Sequence, residues 1–215
     1  MRLALEVAAD AEEAARRVGS LIAERAREAD YRFSFALSKA PPAMLGALVA
    51  AEPPWDAVGV FQVDERAAPA DDSARNLVAL LEALPHDSIH PMPVEDPELE
   101  AAARQYAAEL PPSLDLVHLG LGPDGHTASL IPGDPVLEIA DRLVAVTGEY
   151  QGHLRMTLTY PALEAAREIV WLVTGGAKQE VLARLLARDD SIPAGRISNP
   201  RQLVVADADA AALAE

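Results

Sequence analysis

The spacing of apolar positions changes repeatedly along this chain. Residues 3–8 (LALEVA) form a short mixed run that predicts an edge strand. Over residues 10–28, Ala14, Val18, Leu21 and Ile22 recur at three- and four-residue steps, which places them on one helix face. Asp10, with Glu13 three residues on, supplies the capping start of that helix. Residues 32–37 predict a strand, and residues 41–50 a helix that opens on proline. The run AVGVFQV, residues 57–63, predicts a buried strand, and residues 73–84 a helix. Residues 89–94 are proline-rich and extended, and residues 97–109 are helical.

The second half continues the alternation. Residues 114–119 predict a strand that runs into a glycine-rich loop. Residues 143–146 predict another, and residues 168–174 (EIVWLVT) a third that stops at Gly175 and Gly176. Residues 177–186 then predict a helix, and residues 202–205 a final strand. Strands alternating with helices predict an α/β fold: a doubly wound, mostly parallel sheet with helices on both faces, a Rossmann-like α/β/α sandwich. It is expected to be one domain over residues 1–215. Ligands of such sheets bind beyond the carboxyl ends of the strands, so the chemistry is sought there.

Composition narrows the classes. Half of the 215 residues are apolar and 24% are charged, as in a globular chain. No apolar run approaches the about 20 residues of a membrane helix. Glu6 and Asp10 interrupt the N-terminus too early for a signal peptide. A cytoplasmic protein with no membrane partner is therefore expected, as a monomer or small homo-oligomer. There is no cysteine, which excludes disulfides, thiolate metal sites and a cysteine nucleophile. No His, Asp and Glu cluster has metal-ligand spacing, so no metal is expected. The net charge of −16 argues against nucleic acid. It would also repel a small anion, so any phosphate site must carry its own local positive charge. Lysine and arginine total 18, yet only Lys39 and Lys178 are lysine. Both become candidates for special positions, with chance as the plain alternative.

Four strand ends carry unusual residues. They are Ser38–Lys39, Asp64–Glu65–Arg66, the loop from Gly120 to Gly133, and Gly175–Lys178. The loop LGLGPDGHTASLIPG is the richest. Gly120, Gly122 and Gly125 let the backbone turn tightly and approach a ligand. They fit GxGxxG, but no acidic residue stands about 20 residues on at a strand end, so a dinucleotide site is not supported. His126 can act as a general base near neutral pH, with Asp124 to orient its ring. Arg66 can bind phosphate or a carbonyl oxygen. Lys178 follows two glycines at a helix start, where anions bind, although GxxxxGK[ST] is missing. His118, inside a strand, is read as a packed or hydrogen-bonded core histidine. His86 and His90 are read as surface, His153 as a candidate to border the pocket, and Trp55 and Trp171 as core.

Together these residues resemble the 6-phosphogluconolactonases, in the wider family that includes glucosamine-6-phosphate deaminase. The resemblance covers nearly the whole chain. It rests on FQVDERAAPADDSARN, LGLGPDGHTASLIPG, RMTLTYPAL, VTGGAKQEVL and IPAGRI, in that order. It implies a NagB/RpiA-like fold and hydrolysis of 6-phosphoglucono-1,5-lactone without metal or cofactor. The partner it implies is a phosphorylated sugar lactone. His126 would activate water. Asp64 and Asp124 would contact sugar hydroxyls or position His126. Arg66, Arg155 and Lys178 would hold phosphate and orient the ring, Gly122 and Gly125 would lie against the substrate, and backbone N–H groups of the glycine loop and Arg66 are candidates to receive the oxyanion. Two departures stand out. The family's SGGS/T-x-P turn reads Ser38–Lys39–Ala40–Pro41–Pro42, without its glycines, and its SN pair reads Arg75–Asn76. Lys39 either replaces backbone donors or marks an altered pocket. The deaminase branch would continue DGH with an I-A-F-N-E type sequence, where this chain has Thr127–Ala128–Ser129–Leu130. A non-catalytic sugar-phosphate binder is the remaining alternative.

Overall fold

The computed structural model describes residues 3–214. Ten strands are present among them: β1 (Ala4–Ala8), β2 (Phe33–Leu37), β3 (Val58–Gln62), β4 (Asp64–Arg66), β5 (Ile89–His90), β6 (Leu116–Gly120), β7 (Val144–Val146), β8 (Arg155–Leu158), β9 (Ile169–Val173) and β10 (Gln202–Asp207). The helices are α1 (Ala11–Glu28), α2 (Pro42–Ala50), α3 (Asn76–Ala83), α4 (Leu99–Glu109), α5 (Tyr160–Ala165), α6 (Gln179–Leu186) and α7 (Ala208–Ala211). Seven strands form one parallel sheet in the order β1-β10-β9-β6-β2-β3-β5. The doubly wound parallel sheet expected from the alternation is present.

Each face of the sheet buries its own apolar layer. Phe33, Phe35, Leu37, Leu116 and Val170 face α1, α2 and α3. Val117, Leu119, Trp171 and Val204 face α4, α5, α6 and α7. These side chains alternate along each strand because successive residues point to opposite faces. The expected cap of α1 forms: Asp10 accepts the Glu13 N–H at 2.8 Å, and Glu13 accepts the Ala9 N–H at 2.7 Å. Gly19 brings α1 against the first turn of α2, since a Cβ there would lie 2.1 Å from the Met44 carbonyl oxygen.

Two expectations need correction. Residues 143–146 do not join the parallel sheet. β7 belongs to a separate antiparallel sheet, β4-β8-β7, which the apolar pattern did not indicate. Its strands are three or four residues long, and Arg155 and Thr157 interrupt the apolar period. Residues 89–94 supply the short edge strand Ile89–His90. His90 is also not simply a surface residue: it is half-buried and stacks on Phe61 at 4.4 Å.

Chain direction fixes the site. From β2, the chain proceeds outward to β3 and β5; from β6, it proceeds the other way to β9 and β10. The crevice between β2 and β6 is the switch point, where α/β sheets bind ligands.

Candidate active site

The loop after β6 is shaped around one histidine. Gly122 donates its N–H to the His126 carbonyl at 2.8 Å, and Gly125 donates to the Gly122 carbonyl at 3.0 Å. A Cβ at Gly122 would lie 2.1 Å from His126 Nδ1, so its absence is the space the ring occupies. Gly125 has φ +84°, and a Cβ there would strike Ile192 at 2.5 Å. Ala128 holds φ +52°, a strained conformation for a residue with a side chain. Thr127 Oγ1 donates to the Gly120 carbonyl at 2.8 Å and closes the loop on its strand. The N–H groups of Gly122 and Gly125 are thus used within the turn.

His126 Nδ1 lies 2.5 Å from Asp124 Oδ1, and the same oxygen accepts the His126 backbone N–H at 3.1 Å. Burial acts to raise the Asp124 carboxyl, but the backbone and ring hydrogen bonds from His126 outweigh it and hold the group below its ordinary value. An ionised Asp124 orients the ring through Nδ1, so Nε2 is the nitrogen left for proton transfer. Tyr150 packs its ring edge-to-face against His126, with centroids 5.8 Å apart, and against the Arg155 guanidinium at 5.0 Å. Tyr150 sits in an irregular loop with no periodic or motif signal, so the sequence did not single it out.

A cavity of about 250 Å³ collects Ser38, Lys39, Asp64, Arg66, Gly122, His126 and Lys178 from the four strand ends, and Arg155 from β8. Nearly all the residues expected at a site therefore meet. Asp124 stands behind His126, and Gly125 supports the loop from beneath. Arg66 and Arg155 face each other across β4 and β8 as direct partners. Burial, then the neighbouring Arg66, lower the Arg155 guanidinium. Lys178 donates to the Leu121 carbonyl at 2.7 Å, and burial lowers its ammonium against the attraction of Asp124. Among the described residues, none of Lys39, Arg66, Arg155 and Lys178 forms an ion pair with a carboxylate.

The two acids of the β4 segment diverge. Asp64 is buried and accepts Ser38 Oγ at 3.2 Å and Ser129 Oγ at 2.7 Å. Burial raises its carboxyl, with the Ser129 hydrogen bond opposing. It orders two loops and does not reach His126. Glu65 is wholly buried and caps α3: it accepts the N–H groups of Asn76 at 2.9 Å and Leu77 at 2.8 Å. Arg75 Nε lies 3.2 Å from it. This network seats Asn76, whose Oδ1 lies 3.3 Å from Arg66 Nη1 as its acceptor.

A larger cavity, about 770 Å³, adjoins the first and shares Lys39, Arg66, Asn76, Gly120 and Arg155 with it. His153 lines it, as expected. His118 also lines it, packed into the strand as expected. The ring is buried, but neither nitrogen has a hydrogen-bond partner. Burial pushes its pKa down to about 4. Among the described residues, no three His, Asp or Glu side chains group closely enough to hold a metal ion. No helix among them is long and apolar enough to cross a membrane.

Comparison with known proteins adds lineage to this geometry. A family model described as glucosamine-6-phosphate isomerases/6-phosphogluconolactonase matches residues 9–206. The chain is 37% identical to the 6-phosphogluconolactonase of Synechocystis over 189 residues, covering 80% of this chain and 76% of the relative. It is 35% identical to the Nostoc 6-phosphogluconolactonase over 204 residues, covering 86% and 85%. The crystal structure of a 6-phosphogluconolactonase from Thermotoga maritima superposes with a TM-score of 0.82 at 25% identity, covering 96% and 99%.

Proposed function

Since the chain belongs to the family of glucosamine-6-phosphate isomerases and 6-phosphogluconolactonases, we propose that it is a lactone hydrolase that converts 6-phosphoglucono-1,5-lactone to 6-phosphogluconate. One arrangement carries this reading: four cations without carboxylate partners converge on a cavity that also holds the His126–Asp124 pair. Unpaired cations in a protein of net charge −16 fit an anionic ligand. A histidine held at Nδ1 by Asp124 fits a general base acting through Nε2.

His126 Nε2 takes a proton from water as the oxygen attacks the lactone carbonyl. Negative charge gathers on the former carbonyl oxygen, where Arg66, Arg155 and Lys178 supply the compensating field. The tetrahedral intermediate collapses by breaking the bond between the carbonyl carbon and the ring oxygen. The proton held by His126 passes to that oxygen, which leaves as the C5 hydroxyl. Asp124 stabilises the imidazolium between the two transfers, as the orienting carboxylate does in hydrolases with a buried acid behind their histidine. The product carboxylic acid ionises in water. Lys39 adds charge at the rim, and the reaction is soluble chemistry that fits the cytoplasm.

Two assays on one preparation test this. Lactone hydrolysis in a pH-stat is expected to be fast, and ammonia release from glucosamine-6-phosphate absent. The reverse pattern would replace hydrolysis with deamination. His126→Asn is expected to lower kcat by about 10²- to 10⁴-fold with little change in KM. Undiminished turnover in that variant would remove the general base.

A further inference from the structure

We infer that Tyr150 is a positioning residue of this site: its ring braces the His126 imidazole and the Arg155 guanidinium together, and so holds the base and a cation in one arrangement. The inference rests on the lactonase reading for the reaction, and on the contacts alone for the placement. The Tyr150 and His126 rings meet at 65° with centroids 5.8 Å apart, an edge-to-face aromatic pair. The Arg155 guanidinium carbon lies 5.0 Å from the centroid of the same tyrosine ring, where the electron-rich face attracts a cation. Tyr150 lines neither cavity, so it reaches the substrate only through these two neighbours. Its hydroxyl has no hydrogen-bond partner among the described residues, which leaves the ring as the working part.

Both neighbours need such a brace. Asp124 holds His126 at Nδ1, which fixes one edge of the imidazole, and Tyr150 supplies a second contact that keeps the ring from swinging about that bond. Arg155 is buried, and its Nε has no hydrogen-bond partner. Its Nη2 donates to the Tyr150 carbonyl at 3.5 Å and to Gln151 Oε1 at 3.4 Å, both at the long end of the range. The tyrosine face therefore supplies orientation that these bonds do not. The chain between β7 and β8 is built to keep Tyr150 there. Tyr150 donates its N–H to the His153 carbonyl at 3.0 Å, and His153 returns the bond at 3.3 Å. Between them Gln151 and Gly152 have φ +52° and +82°, the doubly positive pattern of a type I′ turn. Glycine adopts it freely, whereas glutamine is strained there. Thr147 donates its N–H to the Arg155 carbonyl at 2.8 Å and ties the base of the hairpin to the start of β8. The turn thus accepts strain to fix the backbone from which the Tyr150 ring projects.

Two substitutions separate the ring from the hydroxyl. Tyr150→Phe keeps the ring and Tyr150→Leu removes it, with Tyr150→Met in its place should the Leu variant not fold. Lactone hydrolysis is the first readout. Tyr150→Leu is expected to lower kcat about tenfold with KM within about twofold, because both braced groups act in the chemical step, and Tyr150→Phe to retain most of kcat. No loss in the Leu variant, or an equal loss in the Phe variant, overturns the inference. A double-mutant cycle is the second. On an Arg155→Met background, one of the two contacts is already gone, so Tyr150→Leu should cost only about threefold. A full tenfold loss on that background overturns the shared brace. The third needs no substrate: the ring carbon–proton NMR signals of His126. They should stay in place in Tyr150→Phe and move in Tyr150→Leu, as the neighbouring ring current disappears. Unmoved signals in the Leu variant overturn the placement. If the wild-type protein hydrolyses no lactone, the lactonase reading fails, and the His126 signals still decide whether Tyr150 braces the ring.

Discussion

At the scale of single residues, the site depends on what is missing as much as on what is present. Gly122 is needed because the His126 ring fills the volume of its absent Cβ. Gly122→Ala should therefore displace the ring from Asp124 and lower kcat by about 10²-fold or more, while thermal stability falls modestly. Steady-state kinetics and a melting curve on the same variant check both parts. Asp124→Asn keeps the size of the side chain but loses the charge that fixes the ring proton on Nδ1. A fall in kcat of about 10²-fold or more with KM near wild type is expected. Retained kcat would mean that the ring finds its tautomer without help.

Among the elements, the helices and turns act as braces for the loops they flank. Gly19 lets α1 reach the first turn of α2, which carries Lys39 and Ala40 just ahead of it. Gly19→Ala adds a methyl where Met44 O already stands, so it is expected to destabilise by about 1–3 kcal/mol, against the usual helix preference for alanine. Urea denaturation with an unchanged m-value would register this. The IPAGRI segment has a similar function. Ile192 packs on Gly125, and Ala194 donates its N–H to the Gly125 carbonyl at 3.0 Å. A C-terminal motif thus supports the His126 loop from below.

Across the whole molecule, two charge effects follow. The long-range field of −16 repels an anionic substrate, while the cations at the cavity attract it at close range. Salt screens the distant repulsion first, because the Debye length falls to about 10 Å at 0.1 M. Between about 10 and 100 mM salt, kcat/KM is therefore expected to hold level or rise, and a steep fall would mean that local attraction dominates even at long range. The second effect is on stability. His118 is neutral in the folded state down to about pH 4, whereas an unfolded histidine takes up its proton near pH 6.5. Between those values the unfolded state binds more protons, so stability falls as pH falls. The contribution is complete above pH 6.5 and is lost toward pH 4. From pH 7 to pH 5 this amounts to about 2 kcal/mol, on an order-of-magnitude basis. His118→Leu should flatten that part of the profile measured by urea denaturation.

Local sequence determined the parallel sheet, the α1 cap and the glycine loop built around His126. Each follows from contacts within a few residues: strand alternation, the Asp10–Glu13 pair, and glycines spaced around His126. It also placed the cations at strand ends, because a parallel sheet puts all those ends on one side. What it left undecided depended on residues far apart in the chain. The antiparallel sheet β4-β8-β7 exists because Arg66 pairs with Arg155, a register that no short window contains. Glu65 stands beside Asp64 in the sequence, yet it meets the start of α3 and Arg75 and serves to cap that helix. His118 looked like an ordinary core histidine, since a strand interior says nothing of what lies opposite. Only the packing of β6 beside the start of α2 showed that its ring borders a charged cavity with nothing in the chain to satisfy it.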